Sequence, residues 1–357
     1  MDDSLGVSLM DIIDPVEFEV ISVTDDVVWI GEIHSFLQHC HLGIDRDIEL
    51  FVIARKGKNI IACAGLAGNT IKCVAVDIAW RGEKLSVRIV EEVAKLAAQR
   101  GNIHLFLYTR PENKVFFRGC GFFPIAEVPG ISVLLENTPV GIARYRASLQ
   151  PFRKPGERIG CIVMNANPFT LGHRYLVEQA LQACDWLHIF VVSEDVSQFP
   201  FAQRLEMVRQ GVADLSGLTV HPGTGYLISR ATFPSYFLKE QKVINETYSA
   251  MDLLIFRRYI APALGITHRF VGTEPHCAVT AQYNDAMHYW LEGSDNAISR
   301  AISVVEIDRK TTMNGRAISA SDVRQLLRQH QAEAIEDIVP KTTLPYLQSY
   351  CLPVCTS

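Results

Sequence analysis

Apolar residues in the first third of the chain fall in short blocks bounded by turn-forming residues. Glu49 to Arg55 and Ile60 to Leu66 flank Lys56-Gly57-Lys58-Asn59, which predicts a β-hairpin. Ile71 to Ile78, rich in β-branched residues, predicts another strand. Beyond Trp80 the period changes. Val87, Val90, Val93, Ala94 and Ala97 recur at steps of three and four, the spacing of an amphipathic helix. Ile103 to Thr109 then predicts a strand, and Gly119-Cys120-Gly121-Phe122 closes a second helix.

Residues 137–157 break this rhythm. Pro139, Gly141, Pro151, Pro155 and Gly156 punctuate a segment carrying Arg144, Arg146, Arg153 and Lys154, which predicts a short helix and a basic linker. The pattern resumes with an apolar strand, Ile159 to Met164. A helix striped by Leu176, Ala180, Ala183 and Cys184 follows, then a second apolar strand, Trp186 to Val192. Strand, helix, strand makes a βαβ unit, whose right-handed crossover implies a parallel sheet. Arg269 to Gly272 and Ser303 to Ile307 are expected as later strands of that sheet. The chain therefore divides into an α/β domain over 1–136, a linker over 137–157 and a Rossmann-like α/β domain over 158–357. A length of 357 residues suits two domains, each large enough to bury its own core.

Composition narrows the partners. Apolar residues make up 48% and charged residues 20%, and the net charge is -5. That balance gives no global attraction to nucleic acid or to an anionic membrane. The longest apolar runs are too short to span a bilayer, and no segment after the acidic start Met1-Asp2-Asp3 reads as a signal peptide. Nine scattered cysteines are expected as reduced thiols in the cytoplasm. Cys351 and Cys355 lack the second pair a zinc site requires, and His39-Cys40-His41 reads as a surface turn, so no metal ligands are assigned.

Candidate chemistry lies where the first strand of the second domain ends, at Asn165-Ala166-Asn167-Pro168-Phe169-Thr170-Leu171-Gly172-His173. In an open parallel sheet, ligands sit beyond the carboxyl ends of the strands, against helix N-termini whose N–H groups suit phosphate. Gly172 would let the backbone approach the ligand closely, and His173 would donate to a phosphate oxygen. By itself the segment reads equally as a helix cap, Thr170, with a surface histidine one turn on. The dinucleotide fingerprint Gly-x-Gly-x-x-Gly is absent, which argues against a nicotinamide dehydrogenase.

A second segment, Ile318-Ser319-Ala320-Ser321-Asp322-Val323-Arg324, opens the next strong helix. Ser319 and Asp322 have capping-box spacing, and Arg324 lies off the apolar stripe on the side of Ser321. One helix start thus offers hydroxyls, N–H groups and a guanidinium, a set suited to polyphosphate. A capped surface helix would use the same residues.

Together, Thr-x-Gly-His after the first strand and Ile-Ser-x-Ser-x-Val-Arg late in the domain resemble the nucleotidyltransferase superfamily related to class I aminoacyl-tRNA synthetases. The resemblance implies that Thr170 and His173 contact the phosphates of ATP, and that Ser319, Ser321 and Arg324 hold the pyrophosphate end. Arg204 matches a helix arginine of that superfamily. Gly272-Thr273-Glu274-Pro275 ends a strand where the nucleoside usually binds. Asn167, Pro168, Phe169 and Gly172 complete the implied ATP site.

Across nearly its whole length the chain is similar to the citrate lyase ligase family. The similarity is carried by Gly160 to Phe169, by Ser229-Arg230-Ala231-Thr232-Phe233-Pro234 and by His268 to Pro275. It implies that ATP, accompanied by Mg²⁺, activates acetate as acetyl-adenylate. The acetyl group then passes to the thiol of a dephospho-coenzyme A-derived prosthetic group on the citrate lyase acyl-carrier subunit, releasing AMP and pyrophosphate. Val74 to Ser86 and Phe116 to Phe122 resemble an N-acetyltransferase (GNAT) fold. There, Lys84 and Ser86 stand in the two small-residue positions of the pyrophosphate loop, and a lysine side chain would crowd the ligand. The first domain is expected either to cradle the prosthetic arm or to be structural. Arg257, Arg258, Arg230, Lys239 and Lys242 are candidates for a basic face toward an acidic carrier. Two rivals remain at this stage. One is an adenylyltransferase that joins AMP to a phosphorylated cofactor precursor, and the other is a protein N-acetyltransferase with a nucleotide-sensing domain.

Overall fold

The computed structural model describes residues 15–25, 27–81, 84–193, 197–228, 233–238, 240–274, 278–293, 299–312 and 314–351. Gly82, Glu83, the stretch Ser229-Arg230-Ala231-Thr232, Lys239, Pro275 and Cys355, on which the sequence reading also drew, lie outside these residues. The chain packs as two units, residues 1–141 with 234–247, and residues 142–233 with 248–357.

The first unit is built on a seven-stranded sheet of order β1-β2-β3-β4-β5-β7-β6. Its strands are β1 (Glu17–Ser22), β2 (Leu50–Lys56), β3 (Asn59–Ala67), β4 (Thr70–Val76), β5 (Phe106–Thr109), β6 (Phe123–Val128) and β7 (Ser132–Glu136). The expected hairpin is β2–β3, paired antiparallel from Leu50↔Leu66 to Lys56↔Asn59. The helix Leu85–Gln99 buries Leu85, Ile89, Val90, Val93 and Ala97 against the sheet face that carries Val52, Ala54 and Leu107. β5 begins later than its apolar run, at Phe106. The reason is Asn137, whose side chain accepts from Leu105 N at 2.8 Å and donates to Ile103 O at 3.0 Å, taking backbone groups a longer strand would have used.

One feature of this unit has no local signal in the sequence: residues 234–247 return to it from far along the chain. Ser235 donates to Asp45 through its backbone N at 3.0 Å and its hydroxyl at 2.7 Å. Asp45 also receives Lys72 Nζ at 3.0 Å, and Asp47 receives it at 2.8 Å, so this almost fully buried ammonium is neutralised twice.

The second unit holds a five-stranded sheet of order β10-β9-β8-β11-β12, every neighbouring pair parallel. The strands are β8 (Ile159–Met164), β9 (Trp186–Val191), β10 (Leu218–Pro222), β11 (His268–Gly272) and β12 (Ser303–Ile307). On one face, the helices Leu171–Gln182, Phe201–Gly211 and Ala320–Arg328 bury Val177, Ala180, Met207, Val208, Val323 and Leu327 against Ile162, Leu187 and Ile189. On the other face, Cys161 and Phe190 meet Leu253, Phe256, Ile260 and Leu264. Leu149 joins that second core, so the expected linker helix, Gly141–Leu149, packs as part of this unit. The architecture is α/β with a parallel sheet covered on both faces. The chain steps outward from β8 through β9 to β10, then crosses to β11 on the opposite side of β8. The strand order therefore reverses between β8 and β11, which is where a ligand crevice forms in open parallel sheets.

Candidate active site

The segment after β8 and the segment after β11 flank that reversal. Thr170 is the N-cap of the helix Leu171–Gln182, with an extended backbone at φ -119° and ψ 169°. Its hydroxyl accepts from His173 N at 3.3 Å, and Thr170 N donates to His173 Nδ1 at 3.1 Å. The pair is a reciprocal capping box in which histidine replaces the usual glutamate. Because Nδ1 accepts, the ring proton sits on Nε2, which is left as the donor. Burial, helped by the nearby Arg309 cation, pushes the His173 pKa down to about 4, so the ring is neutral near pH 7. His173 is half-buried and stacks on the Phe169 ring at 5.7 Å, so it is not the loose surface residue the sequence allowed.

The first turn of this helix is less open to a ligand than expected. Leu171 N donates to Ile338 O at 3.0 Å, and His173 N is held by Thr170. Gly172 keeps its N–H without a partner among the described residues, as the second residue of a helix has none inside it. Gly172 also answers to a neighbour within the chain. A Cβ there would lie 3.1 Å from Ile318 O, so the glycine is needed to bring the second motif close.

Ser319 caps the helix Ala320–Arg328 and accepts from Ser321 N at 3.0 Å. The expected capping box does not form, because Asp322 pairs with Arg316 at 2.6 Å. Arg324 donates to Ser321 Oγ at 2.8 Å and to Asn167 O at 2.5 Å. The guanidinium of the second motif thus rests on the backbone of the first, which brings both helix starts to one place.

Four other residues of the implied ATP site are engaged within the protein. Arg204 is fully buried and donates from Nε to Phe199 O at 3.0 Å and from Nη1 to Asn165 O and Val192 O, each at 2.8 Å. These bonds fasten the ends of β8 and β9 and leave the arginine as a positioning residue. The Phe169 ring is wholly in the core, and a Cβ on Gly211 would fall 2.4 Å from it. Pro168 is likewise buried. Phe169 therefore acts beneath His173, and Asn167 acts through its carbonyl toward Arg324 and through its side chain toward Phe199 N, at 3.2 Å.

Beyond β11, Thr273 N continues the ladder to Ile307 O at 2.9 Å, and Gly272 O accepts from Asn284 at 3.2 Å. Glu274 forms an ion pair with Arg309, whose Nε also donates to Thr273 O at 2.7 Å. Arg309 is a functional candidate that motif reasoning missed. It follows directly on β12, and a cation two residues past a strand end was the signal available.

In the first unit, β4 and β5 pair only at Thr70↔Phe106 and Ile71↔Leu107, then part. The gap is a cavity of about 510 Å³ lined by Cys40, Arg81, Ser86, Tyr108, Arg110 and Tyr236, among others. Tyr236, on the returning segment, donates its hydroxyl to Tyr108 O at 2.7 Å across the gap. Lys84 adopts φ 59°, ψ 2°, so the loop takes a left-handed, glycine-like turn with a lysine in it. Of the basic residues expected to face a carrier, Arg257 is buried, Arg258 is exposed, and Lys242 is exposed with Glu246 at 3.8 Å. Among the described residues no cluster of three or more His, Cys, Asp or Glu side chains is placed to hold a metal ion, and no helix is long and apolar enough to cross a membrane.

Comparison with known proteins supplies the family. A family model described as the citrate lyase ligase C-terminal domain matches residues 159–347. The chain is 53% identical over 319 residues to the [citrate [pro-3S]-lyase] ligase of Escherichia coli strain K12, covering 89% of this chain and 90% of that protein. The corresponding ligase of Haemophilus influenzae is 50% identical over 317 residues, covering 88% and 94%. Among solved structures, Escherichia coli ElaA is 17% identical and aligns with 34% of this chain and 98% of its own, with a TM-score of 0.31. An acyl-CoA N-acyltransferase from Pseudomonas aeruginosa aligns similarly, 15% identical with a TM-score of 0.29, over 34% of this chain and 99% of its own. With half or more of its sequence shared with such enzymes across nearly nine-tenths of its length, the chain belongs to the citrate lyase ligase family.

Proposed function

We propose that the chain is an ATP-dependent ligase that activates acetate as acetyl-adenylate. It then acetylates the prosthetic-group thiol of the citrate lyase acyl-carrier subunit, releasing AMP and pyrophosphate. One observation carries the adenylyl-transfer reading: Arg324, from the second helix start, is seated on Asn167 O of the loop that leads into the Thr170–His173 cap.

In the first step a carboxylate oxygen of acetate attacks the α-phosphorus of ATP, forming the mixed carboxylic–phosphoric anhydride of acetyl-adenylate. The bond to the β-phosphate oxygen breaks, and its electron pair leaves on pyrophosphate. Negative charge grows on the α-phosphate oxygens and on the leaving group, so fixed donors are worth most there. The Nε2–H of neutral His173 and the N–H of Gly172 would serve the phosphates at the first helix start. Arg324, with Ser319 and Ser321 around it, would hold the departing pyrophosphate, and Arg309 adds a cation anchored by Glu274. Mg²⁺ bound to the ATP phosphates, rather than to a protein cage, would neutralise part of their charge. In the second step the carrier thiolate attacks the acetyl carbonyl carbon, and AMP leaves with the electron pair of the mixed-anhydride bond. Arg204 and Phe169 have no contact role in this scheme; they fix the loop that carries Asn167 and His173.

The cavity between β4 and β5 has the size and polarity to receive the carrier's prosthetic arm. Arg81 and Arg110 stand at its wall for the arm's phosphates.

Product analysis tests the reading. Free AMP, pyrophosphate and acetylated carrier should appear together, and only when ATP, acetate and thiol-bearing carrier are all present. AMP retained in a dinucleotide after addition of a phosphorylated cofactor precursor would replace this function with the first rival.

A further inference from the structure

At the amino ends of the parallel strands, on the rim opposite the nucleotide-binding loops, the second unit contains a cavity of about 480 Å³. Five of the residues that line it are arginines: Arg146, Arg153, Arg257, Arg258 and Arg300. None of its lining residues is Asp or Glu, and none of the five arginines forms an ion pair among the described residues. Like charges gathered in a concave, partly desolvated wall repel one another. A chain keeps such an arrangement at a cost in stability unless an anion offsets it.

The five are not equivalent. Arg257 is buried and donates to Trp290 O at 2.7 Å, Gly293 O at 2.9 Å and Ser299 O at 3.3 Å, so it frames the wall, while its Nε is buried with no hydrogen-bond partner. Arg153 is tied to Pro262 O at 3.1 Å. Arg146 and Arg258 flank a single ring, Tyr259, at 5.9 Å and 5.3 Å from its centre, and the Nε of Arg146 is also buried without a partner. One aromatic ring therefore contacts two of the cavity's guanidiniums. Arg257, Arg258 and Tyr259 lie on a π-helical turn, Phe256–Ile260, a helix irregularity that recurs at binding sites. The turn sits just ahead of Pro262, which lacks the N–H a regular helix would need there.

We propose that this cavity is a second anion site, distinct from the nucleotide site. Its ligand is a small polyanion with several phosphate or carboxylate groups, gripped by Arg146, Arg258 and Arg300 against the wall built by Arg257. The concavity has the volume for a compact molecule, and planar guanidiniums pair bidentately with both phosphate and carboxylate.

Calorimetric titration of the whole chain tests this, with tripolyphosphate as the phosphate probe and citrate as the tricarboxylate probe. Both titrations are run in an Arg324→Ala background, so that the triphosphate-holding arginine is removed. One probe at least is expected to bind one-to-one, and the preferred probe names the source of the anionic groups. Arg258 and Arg300 are exposed, so the pair Arg258→Gln and Arg300→Gln should leave the fold intact, with a melting temperature unchanged or raised by relief of like-charge repulsion, while weakening binding tenfold or more. In an otherwise native chain, the same pair should leave carrier-free, acetate-dependent ATP–pyrophosphate exchange unaltered in the absence of either probe. Failure of both probes to bind at millimolar concentration overturns the proposal. Binding that survives the paired substitution also overturns it, because the anion then sits elsewhere.

Discussion

Arg324 donates a hydrogen bond of 2.5 Å to the backbone carbonyl of Asn167, although 157 residues separate them in the chain. The same guanidinium reaches Ser321 Oγ at 2.8 Å, so its two Nη atoms are spread between the two motifs. Burial and the neighbouring Arg328 lower its pKa from the ordinary arginine value, a direction that still leaves it charged near neutral pH.

Arg324→Ala should therefore weaken ATP far more than acetate. A charge-assisted hydrogen bond is worth about 1.5–3 kcal/mol, which corresponds to a rise in KM for ATP of roughly ten- to 150-fold. Arg324→Lys should recover only part of it, because an ammonium does not reproduce the planar fork that spans Asn167 and Ser321. Initial rates at varied ATP and fixed acetate check this, and an unaltered ATP dependence would remove Arg324 from the site.

His173 has two duties that substitution can separate. His173→Ala should lower kcat by about a hundredfold, through loss of the Nε2–H donor. It should also destabilise the chain by about 1 kcal/mol, because Thr170 N loses its acceptor. His173→Asn places an oxygen near the position of Nδ1 and should restore the stability without the rate. Denaturant unfolding and steady-state kinetics on the two variants read these duties independently. Equal rates for native and Ala chains would refute the catalytic assignment.

The acid limb of kcat/KM should lie near pH 4, well below the ordinary histidine range, because the His173 pKa is pushed down to about 4 and its neutral form is the one that serves. Stability follows the same direction. The unfolded chain takes up its proton at the ordinary histidine value of 6.5, before the native chain does, so folding stability falls as the pH drops from 6.5 toward 4. Burial also depresses His188 and His221, which share a 2.9 Å hydrogen bond, and they add to the fall. Urea midpoints from pH 7.5 down to 4.5 should decline steadily, and a flat profile would contradict the buried neutral imidazoles.

Gly172→Ala should act on both motifs at once. A methyl 3.1 Å from Ile318 O must displace backbone, and the segment displaced begins the helix that bears Ser321 and Arg324. kcat/KM for ATP is expected to fall at least fivefold while circular dichroism stays native. Kinetics indistinguishable from the unsubstituted chain would mean that the close approach is not needed for the site.

Much of the second unit was readable from the sequence because its signals are local. β8 and β12 occupy the spans their apolar runs predict, Ile159–Met164 and Ser303–Ile307. Thr170 and Ser319 cap the helices that their chemistry announces. What escaped depends on partners distant in sequence. Nothing near Arg204 says that its guanidinium will be consumed by the carbonyls of Phe199, Asn165 and Val192. Asp322 has capping-box spacing from Ser319, yet Arg316 competes for it and wins. The return of residues 234–247 to the first unit rests on Ser235–Asp45 and Tyr236–Tyr108 bonds, which no periodicity encodes. Arg309 carried no motif, and its place beside His173 emerges only once β12 is set next to β11.

The most direct measurement of the central claim is ATP–pyrophosphate exchange with labelled pyrophosphate, without carrier, in the presence and absence of acetate. If the two helix starts form one triphosphate site that adenylates acetate, label should enter ATP only when acetate is present, and His173→Ala should slow the exchange about a hundredfold. No exchange with acetate, or exchange that is the same without it, would contradict the account.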